Sequence, residues 1–441
     1  MLKKLASPAW AMLEYGSYPL LLFIATPWFL HQLGTVGYGH WMLLTATVGF
    51  GGVLNAGTGA ATIKAISAGI GRNESGYNEG TIRVSLAIAI LGGGVLAMAA
   101  FSVFWFAGPT LLSRMGDPAL IRLTGVAAAA LIWLEQLDNV FSSAMKGAEQ
   151  FGQAARVEIA SRATQIIAAA LILLMWPKLW ALYAALLVVA VFRLLAKVTI
   201  ARRILGIVSL RPTLVGAKQI LHFAKWGWLQ GVGGMLFSVA DRILVGSLLG
   251  ASSLTYYSIA SQLAMQIHAV SAAGLSVIFP KVSRKLEGSG HFSLWRVTKL
   301  TMIGNLLFSS FLAFVLIFLG PTILQNWIGK AAAAPTAQIL PWLVAAYWVL
   351  ALNVVPYYIL LGMGKIRFVG LTVLSCGIIG VITMYFAIAS EGLLGAPAGR
   401  GMYAVLSLAL AFPLARHFQH ERRIRHTNRQ LAATSNNEPL P

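Results

Sequence analysis

The stretch that decides the fold is FLHQLGTVGYGHW, Phe29–Trp41, at the centre of a unit that runs from Tyr15 to Gly71. The unit predicts an apolar helix, a Leu-Gly turn, an aromatic pair, a second apolar helix and a basic loop. The same order returns from about residue 226, with the matching features at Leu249-Gly250, Tyr256-Tyr257 and Lys281, Arg284 and Lys285. The two Leu-Gly pairs lie 216 positions apart in a chain of 441 residues. This spacing predicts two halves of about six hydrophobic segments each, a plan found among transporters.

The composition indicates an integral membrane protein. Hydrophobic residues make up 58% of the chain, charged residues only 10%, and the mean hydropathy is +0.76. A soluble domain carries roughly a quarter charged residues. The length suits about twelve spans of ~20 residues joined by short connections. The lone cysteine, Cys376, excludes a disulfide within the chain.

The apolar pattern predicts an all-helical fold of twelve spans. We expect the first bundle over 1–205, a cytoplasmic linker over 206–220, the second bundle over 221–416 and a basic, disordered tail over 417–441. A second repeated pair supports two halves, because Gly147 and Phe151 recur as Gly364 and Phe368. The predicted spans are 8–31, 38–62, 84–108, 119–145, 157–177, 179–200, 223–249, 255–280, 299–325, 337–362, 367–389 and 397–416.

The net charge of +20 serves topology first. We place 27 of the 33 Lys and Arg residues in or near loops on the side of the N-terminus, and Arg242 within a span. Five lie on the opposite side: Arg114, Arg122, Lys178, Lys330 and Arg400. This asymmetry predicts that both termini are cytoplasmic, and no nucleic-acid partner is expected.

The motifs of an enzyme are missing from the sequence. Its eight histidines show no metal-ligand spacing, no phosphate-cradling loop is present, and no large acidic outer loop occurs. We therefore expect a transporter without metal or cofactor. Coupling to H⁺, to Na⁺ or to the membrane potential alone stays open.

Ionisable residues inside spans are the candidates for function, because each is expensive to insert. The acidic candidates for ion coupling or gating are Glu14, Glu135 and Asp138. For Glu135 and Asp138, which share one face of the fourth span, a network that pins helices together and a cavity wall are equal alternatives. Asp241 and Arg242 are neighbours in the seventh span, so each is expected to find a partner on another helix.

The sixth span carries the candidate substrate site. Arg193 and Lys197 share one helix face, and Arg193 is predicted to lie roughly 10 Å below the inner surface. That span has no acidic residue to neutralise Arg193. Two alternatives stay open: snorkelling to the inner headgroups, which suits Lys197, or a cationic stripe that binds a diphosphate. Arg162 and Lys225 are expected to join the same inner vestibule.

Several motifs resemble the polysaccharide transporter family, the O-antigen and exopolysaccharide flippases of the multidrug/oligosaccharidyl-lipid/polysaccharide exporter superfamily. The opening run of that family is similar to Tyr18-Pro19, Thr26-Pro27-Trp28-Phe29-Leu30, Leu33-Gly34, Tyr38-Gly39 and Trp41. Further similarities lie at Leu54-Asn55-Ala56-Gly57, Asp241-Arg242 through Gly246, and Gly364-Lys365. Asn55 is a further candidate for ion coupling or gating. It departs from the family pattern, because the family usually has a charged Asp at this position.

The resemblance implies two six-helix bundles that form a V around a central cavity with alternating access. It implies a flippase of the bacterial inner membrane that turns undecaprenyl-diphosphate-linked oligosaccharide to the periplasmic leaflet. The implied partners are that lipid-linked glycan, membrane lipids, a polysaccharide polymerase and glycosyltransferases.

Three alternatives to this function stay open. The first is a multidrug exporter, which would need acidic rather than basic cavity residues because its substrates are cations. The second is a flippase for the peptidoglycan lipid precursor, which usually carries two more spans. The third is a membrane-embedded polymerase or transferase subunit.

Overall fold

A computed structural model describes residues 2–72, 74–275, 294–363 and 365–416, and every long element in those ranges is an α-helix. Side chains of the first helix are described from Leu20 onwards. The helices are α1 Leu2–Gly49, α2 Gly51–Gly71, α3 Ser75–Ser102, α4 Gly108–Leu111, α5 Pro118–Gly147, α6 Phe151–Met175, α7 Leu179–Leu205, α8 Ala217–Leu249, α9 Ala251–Leu275, α10 Leu294–Ile328, α11 Lys330–Leu352, α12 Val354–Gly362, α13 Ile366–Glu391 and α14 Ala396–Ser407.

The two predicted Leu-Gly turns have the same backbone conformation. Gly34 bends α1 with φ 67° and ψ 177°, and Gly250 separates α8 from α9 with φ 88° and ψ −179°. Both φ values lie in the left-handed region, where glycine carries no Cβ penalty. The sequence repeat is therefore also a repeat of backbone geometry.

Two predicted spans are interrupted inside the helix. The predicted span 38–62 breaks near Phe50, where glycines 49, 51 and 52 weaken the helix. The predicted span 337–362 breaks at Asn353, between α11 and α12. Pro356 explains this second break, because proline has no N–H to donate to the carbonyl four residues earlier, that of Leu352.

Among the described residues, eight helical stretches are long and apolar enough to cross a membrane. The protein is thus a multi-pass membrane protein with an all-helical fold. The number of twelve spans, the cytoplasmic termini and the domain limits at 205, 221 and 416 remain predictions. The basic tail over 417–441, Gly364 and the basic loop with Lys281, Arg284 and Lys285 lie outside the described residues.

We call residues 2–205 the first half and residues 217–416 the second half. They pack mainly through α2 against α8 and through α1 against α9. Glycine permits the closest approach: a Cβ added at Gly39 would lie 2.1 Å from the carbonyl oxygen of Ala251. At Gly57 it would lie 2.4 Å from the carbonyl oxygen of Ala224. Small residues thus bring the backbones of the two halves together.

The end of the molecule that carries Gly34 and Gly250 is called the turn end. There the hydroxyl oxygens of Thr35 and Ser252 lie 3.1 Å apart, and the hydroxyl of Thr255 donates to the carbonyl of Thr35 at 2.6 Å. The opposite end, where α2 ends near Arg72 and residues 206–216 connect α7 to α8, is called the terminal end. The charge asymmetry predicts that the turn end is the outer one.

Candidate functional site

A cluster of six charged side chains lies inside the first half, where α5, α6 and α7 meet. We call it the charge cluster; it contains Glu135, Asp138, Glu158, Arg162, Arg193 and Lys197. α7 continues to Leu205, beyond the predicted span end at residue 200. Arg193 therefore lies about 18 Å from the C-terminal end of its helix.

Lys197 is the most deeply buried member, with 1% of its side chain exposed. Its Nζ donates to Asp138 Oδ2 on α5 and to Glu158 Oε2 on α6, each at 2.7 Å. The snorkelling interpretation of Lys197 is wrong, because its ammonium points into the bundle and is neutralised there. Lys197 ties α7 to both neighbouring helices.

Arg193 is held more loosely than Lys197. Three carboxylates surround its guanidinium, at 3.3 Å for Asp138, 3.7 Å for Glu158 and 3.9 Å for Glu135. The closest contact joins the buried Nε of Arg193 to the buried Oδ1 of Asp138, whereas the contacts to Glu158 and Glu135 are made by the two Nη atoms and are longer than hydrogen bonds. Arg193 is therefore a buried cation whose hydrogen-bonding capacity is not used up.

The basic residues of α7 are neutralised by acids of the neighbouring helices. α7 carries no acid, but α5 and α6 supply three carboxylates against Arg193, Lys197 and Arg162, so the cluster is formally neutral. Arg162 Nε donates to Glu158 Oε1 at 2.8 Å, one helical turn away. Neutralisation explains why six charges can be buried in an apolar bundle at all.

Glu135 is the most accessible acid of the charge cluster, with 36% of its side chain exposed, against 9% for Asp138 and 10% for Glu158. Glu158 also contacts Lys197 and Arg162, and Asp138 also contacts Lys197, whereas Glu135 forms an ion pair with no described residue other than Arg193. The Glu135 side of the charge cluster is therefore the side on which an ion pair can open most easily.

Polar groups on α2 continue this site. Gln136 Nε2 donates to the carbonyl of Gly51 at 2.9 Å, and Gly59 faces Asn139 and Ser143 of α5. Asn55 lies one turn from each of these glycines on the same face of α2, and its Oδ1 is buried without a hydrogen-bond partner. The position that departs from the family pattern thus lies on the face of α2 that packs against α5.

A second buried ion pair lies in the second half. Asp241 Oδ2 on α8 accepts from Arg400 Nη2 on α14 at 2.5 Å and from the hydroxyl of Tyr257 on α9 at 2.9 Å. The guanidinium of Arg400 also lies 5.1 Å from the ring centre of Tyr347. The expected partner of Asp241 on another helix is confirmed. The half-buried Arg242 donates its own backbone N–H to Asp241 Oδ1 at 2.7 Å.

The remaining predicted residues are placed as follows. Arg162 joins the charge cluster, whereas Lys225 is exposed on α8 and belongs to none of the ion pairs that define it. The side chain of Glu14 lies outside the described part of α1. Where the structure describes the chain, no three His, Cys, Asp or Glu side chains converge as metal ligands would.

Sequence reasoning missed Glu158 and Arg400. Glu158 fell at the edge of the predicted fifth span, which began at residue 157, while α6 begins at Phe151. Its spacing of four residues from Arg162 was the available signal. Arg400 was counted as an outer-side charge, but it is buried, with 7% exposed, and completes the ion pair of Asp241.

Comparison with known proteins agrees with this architecture. Residues 90–306 match a family described as polysaccharide biosynthesis protein. A protein of Shigella flexneri named "Putative O-antigen transporter" is 23% identical over 414 residues, which cover 91% of this chain and 95% of the relative.

Solved transporters share the fold at low sequence identity. The lipid II flippase MurJ in an inward closed conformation superposes with a TM-score of 0.68 at 13% identity, over 94% of this chain and 87% of that one. An inward-facing multidrug resistance transporter of the MATE family gives a TM-score of 0.64 at 13% identity, over 94% and 98%. The chain is thus similar to a polysaccharide biosynthesis family over residues 90–306 and to an O-antigen transporter over most of its length, and it shares the fold of these solved transporters.

Proposed function

We propose that the protein moves undecaprenyl-diphosphate-linked oligosaccharide from the cytoplasmic to the outer leaflet of the bacterial inner membrane. The family and the relative support a flippase-type transporter for polysaccharide lipids. The observation that carries the finer proposal is the state of Arg193, a buried cation whose two Nη atoms lie 3.7 and 3.9 Å from carboxylates, beyond hydrogen-bond length. A guanidinium in that state suits the oxygens of a diphosphate, which it binds in pairs.

The two central cations of the charge cluster, Lys197 and Arg193, have different roles. Lys197 donates two hydrogen bonds of 2.7 Å and holds the helices together. Arg193 keeps three longer contacts, and the weakest of them, at 3.9 Å, is to the accessible Glu135. An arriving diphosphate would replace Glu135 as the counter-anion of Arg193 while the Lys197 contacts stay intact.

The release of Glu135 from Arg193 would couple substrate binding to the binding of an ion. A carboxylate that loses its cationic partner in a poorly solvated site takes up a proton or another cation. The membrane potential also favours outward movement of the substrate. Two negative charges that cross ~100 mV, inside negative, gain about 4–5 kcal/mol.

The test is complementation of a strain that lacks the gene. Arg193→Ala should fail to restore surface glycan, because a charge-assisted contact of about 1.5–3 kcal/mol is lost and binding weakens roughly ten- to a hundredfold. Arg193→Lys keeps the charge without the fork and should be partly active. Arg203→Ala is the matched control, an exposed arginine at the end of the same helix.

Two measurements decide the outcome. The first is the level of each variant in the membrane, which must match that of the wild type. The second uses spheroplasts of the Arg193→Ala strain, in which a membrane-impermeant glycosidase added outside should no longer reach the lipid-linked oligosaccharide. If Arg193→Ala restores normal glycan at matched levels, the diphosphate binds elsewhere. Purified protein that forms glycosidic bonds would instead support the polymerase or transferase alternative.

One observation favours export of cationic drugs as a second candidate. The charge cluster contains three acids, of which Glu135 is accessible. Its formal neutrality argues against a cation site, since no surplus negative charge is present. Loss of drug tolerance in the deletion strain, restored by the wild type but not by Glu135→Gln, would favour that candidate.

A further inference from the structure

A cavity of about 980 Å³ lies at the turn end, between the two halves. The first half contributes α1 from Ile24 to Thr35, and the second half contributes Tyr256 and the stretch Trp327–Ala332. The charge cluster contributes no lining residue. This volume is typical of a cavity that holds a sizeable ligand.

The basic side chains of the cavity lie at its rim. Its two basic side chains, His31 and Lys330, are exposed and lie within one helical turn of the glycines at 34 and 329. Neither forms an ion pair with another described residue, and no acidic residue is among those that line the cavity. The rim of the cavity therefore carries positive charge and no counter-charge.

The deeper walls are aromatic and aliphatic. Trp28, Tyr256 and Trp327 line them together with Leu30. An apolar cavity with a cationic rim fits an amphipathic anion better than a free ion.

We propose that this cavity binds the phosphate-bearing headgroup of a lipid in the outer leaflet. Lys330 and His31 contact the phosphate at the rim, and the aromatic and aliphatic walls cover the glycerol or sugar and the first part of the chain. The predicted orientation puts this end at the outer headgroup layer. Two sources share the chemistry: a membrane phospholipid and a polyprenyl diphosphate, the latter resting on the function proposed above.

Binding of a lipid in this cavity depends on how closely the two halves pack at the turn end. Trp327 stacks on Phe23 with 4.3 Å between ring centres and donates to its carbonyl at 3.1 Å. The contact between Thr35 and Ser252 lies at the other margin of the cavity. Both contacts join the halves, so separation at the turn end would pull the cavity apart. A bound headgroup therefore favours the closed turn end, because it binds that state better.

The experiment measures lipid binding to the purified full-length protein by native mass spectrometry. Two probes distinguish the sources: phosphatidylglycerol against a phosphatidylcholine background, and farnesyl diphosphate. The double variant His31→Gln/Lys330→Gln should bind at least one probe roughly tenfold more weakly, the change that about 1.4 kcal/mol produces. Ala331→Trp keeps both charges but fills the cavity, and should have the same effect.

Lys178→Gln is the matched control, an exposed lysine at the turn end that does not line the cavity. Weaker binding of farnesyl diphosphate alone would name the transported lipid as occupant, and weaker binding of phosphatidylglycerol would name a membrane phospholipid. Unchanged binding of both probes in the variants, or an equal loss in Lys178→Gln, would overturn the proposal. The double variant His31→Gln/Lys330→Gln leaves Arg193 unchanged. Failure of this site is therefore read from lipid binding by that variant, and failure of the diphosphate contact is read separately from glycan restoration by Arg193→Ala.

Discussion

Gly34 and Gly250 lie 216 positions apart and have the same backbone conformation, with φ of 67° and 88° and ψ within a few degrees of 180°. Their surroundings differ. A Cβ added at Gly34 meets no atom within 4 Å, whereas one added at Gly250 would lie 2.4 Å from the carbonyl oxygen of Arg114. The same turn is thus open in the first half and tightly packed in the second.

Because the two turns match and only their surroundings differ, a substitution at one glycine is the control for the same substitution at the other. Gly34→Ala should lower the stability of the folded protein by about 1–2 kcal/mol, the penalty of a left-handed φ for an L-residue. Gly250→Ala should be more severe, because the backbone of Arg114 must also move. Thermal unfolding of the purified protein in detergent gives the comparison. Equal melting temperatures for the two variants would contradict it.

Lys197 should matter more for folding than Arg193. Lys197→Ala leaves Asp138 and Glu158 without the cation that contacts both at 2.7 Å, and breaking a buried pair in this way is worth about 3–5 kcal/mol. Arg193→Ala removes only longer contacts and should leave the level of folded protein near normal. Fluorescence-detected size-exclusion chromatography measures both. A normal profile for Lys197→Ala would show that the charge cluster does not stabilise the bundle.

The pair Asp241 and Arg242 should respond unequally. Asp241→Asn removes the charge that neutralises the buried Arg400 and should sharply reduce folded protein. Arg242→Gln should have little effect, since the backbone N–H that contacts Asp241 is kept. The double variant Asp241→Leu/Arg400→Met should recover part of the loss, because a buried pair can be replaced by apolar groups. A double variant as poor as Asp241→Asn would assign the pair a further role.

The turn end must open if the halves alternate. A disulfide between Thr35→Cys and Ser252→Cys is geometrically accessible, since the native hydroxyls lie 3.1 Å apart. In a Cys376→Ala background it should abolish restoration of surface glycan, and a reductant should return activity. Each single cysteine variant is the control. Full activity of the cross-linked protein would exclude separation of the halves at this point.

The predicted orientation has a direct test. Reporters fused after Lys4, Arg72, Lys285 and Arg425 should all indicate the cytoplasm, because basic residues collect on that side. A periplasmic signal from the fusion at Arg425 would remove the model of twelve spans, and with it the placement of the turn end outside.

The sequence by itself determined the class of protein, the position of its long helices and the twofold plan. These features depend on local properties. Hydropathy over ~20 residues identifies a span, and a Leu-Gly pair between two spans predicts the turn at Gly34 and Gly250. The sequence also predicted that Asp241 needs a partner from another helix, because adjacent residues cannot share a helix face.

Only the tertiary structure decided which charges neutralise one another. The partners of Lys197 lie 59 and 39 positions away, and the partner of Arg400 lies 159 positions away. No pattern along one helix reports such distances. The local sequence around a lysine near a helix end is the same whether the side chain extends to lipid headgroups or to a carboxylate inside the bundle. Packing of α5 and α6 against α7 chose the second, because a neutralised charge is tolerated where a lone one is not.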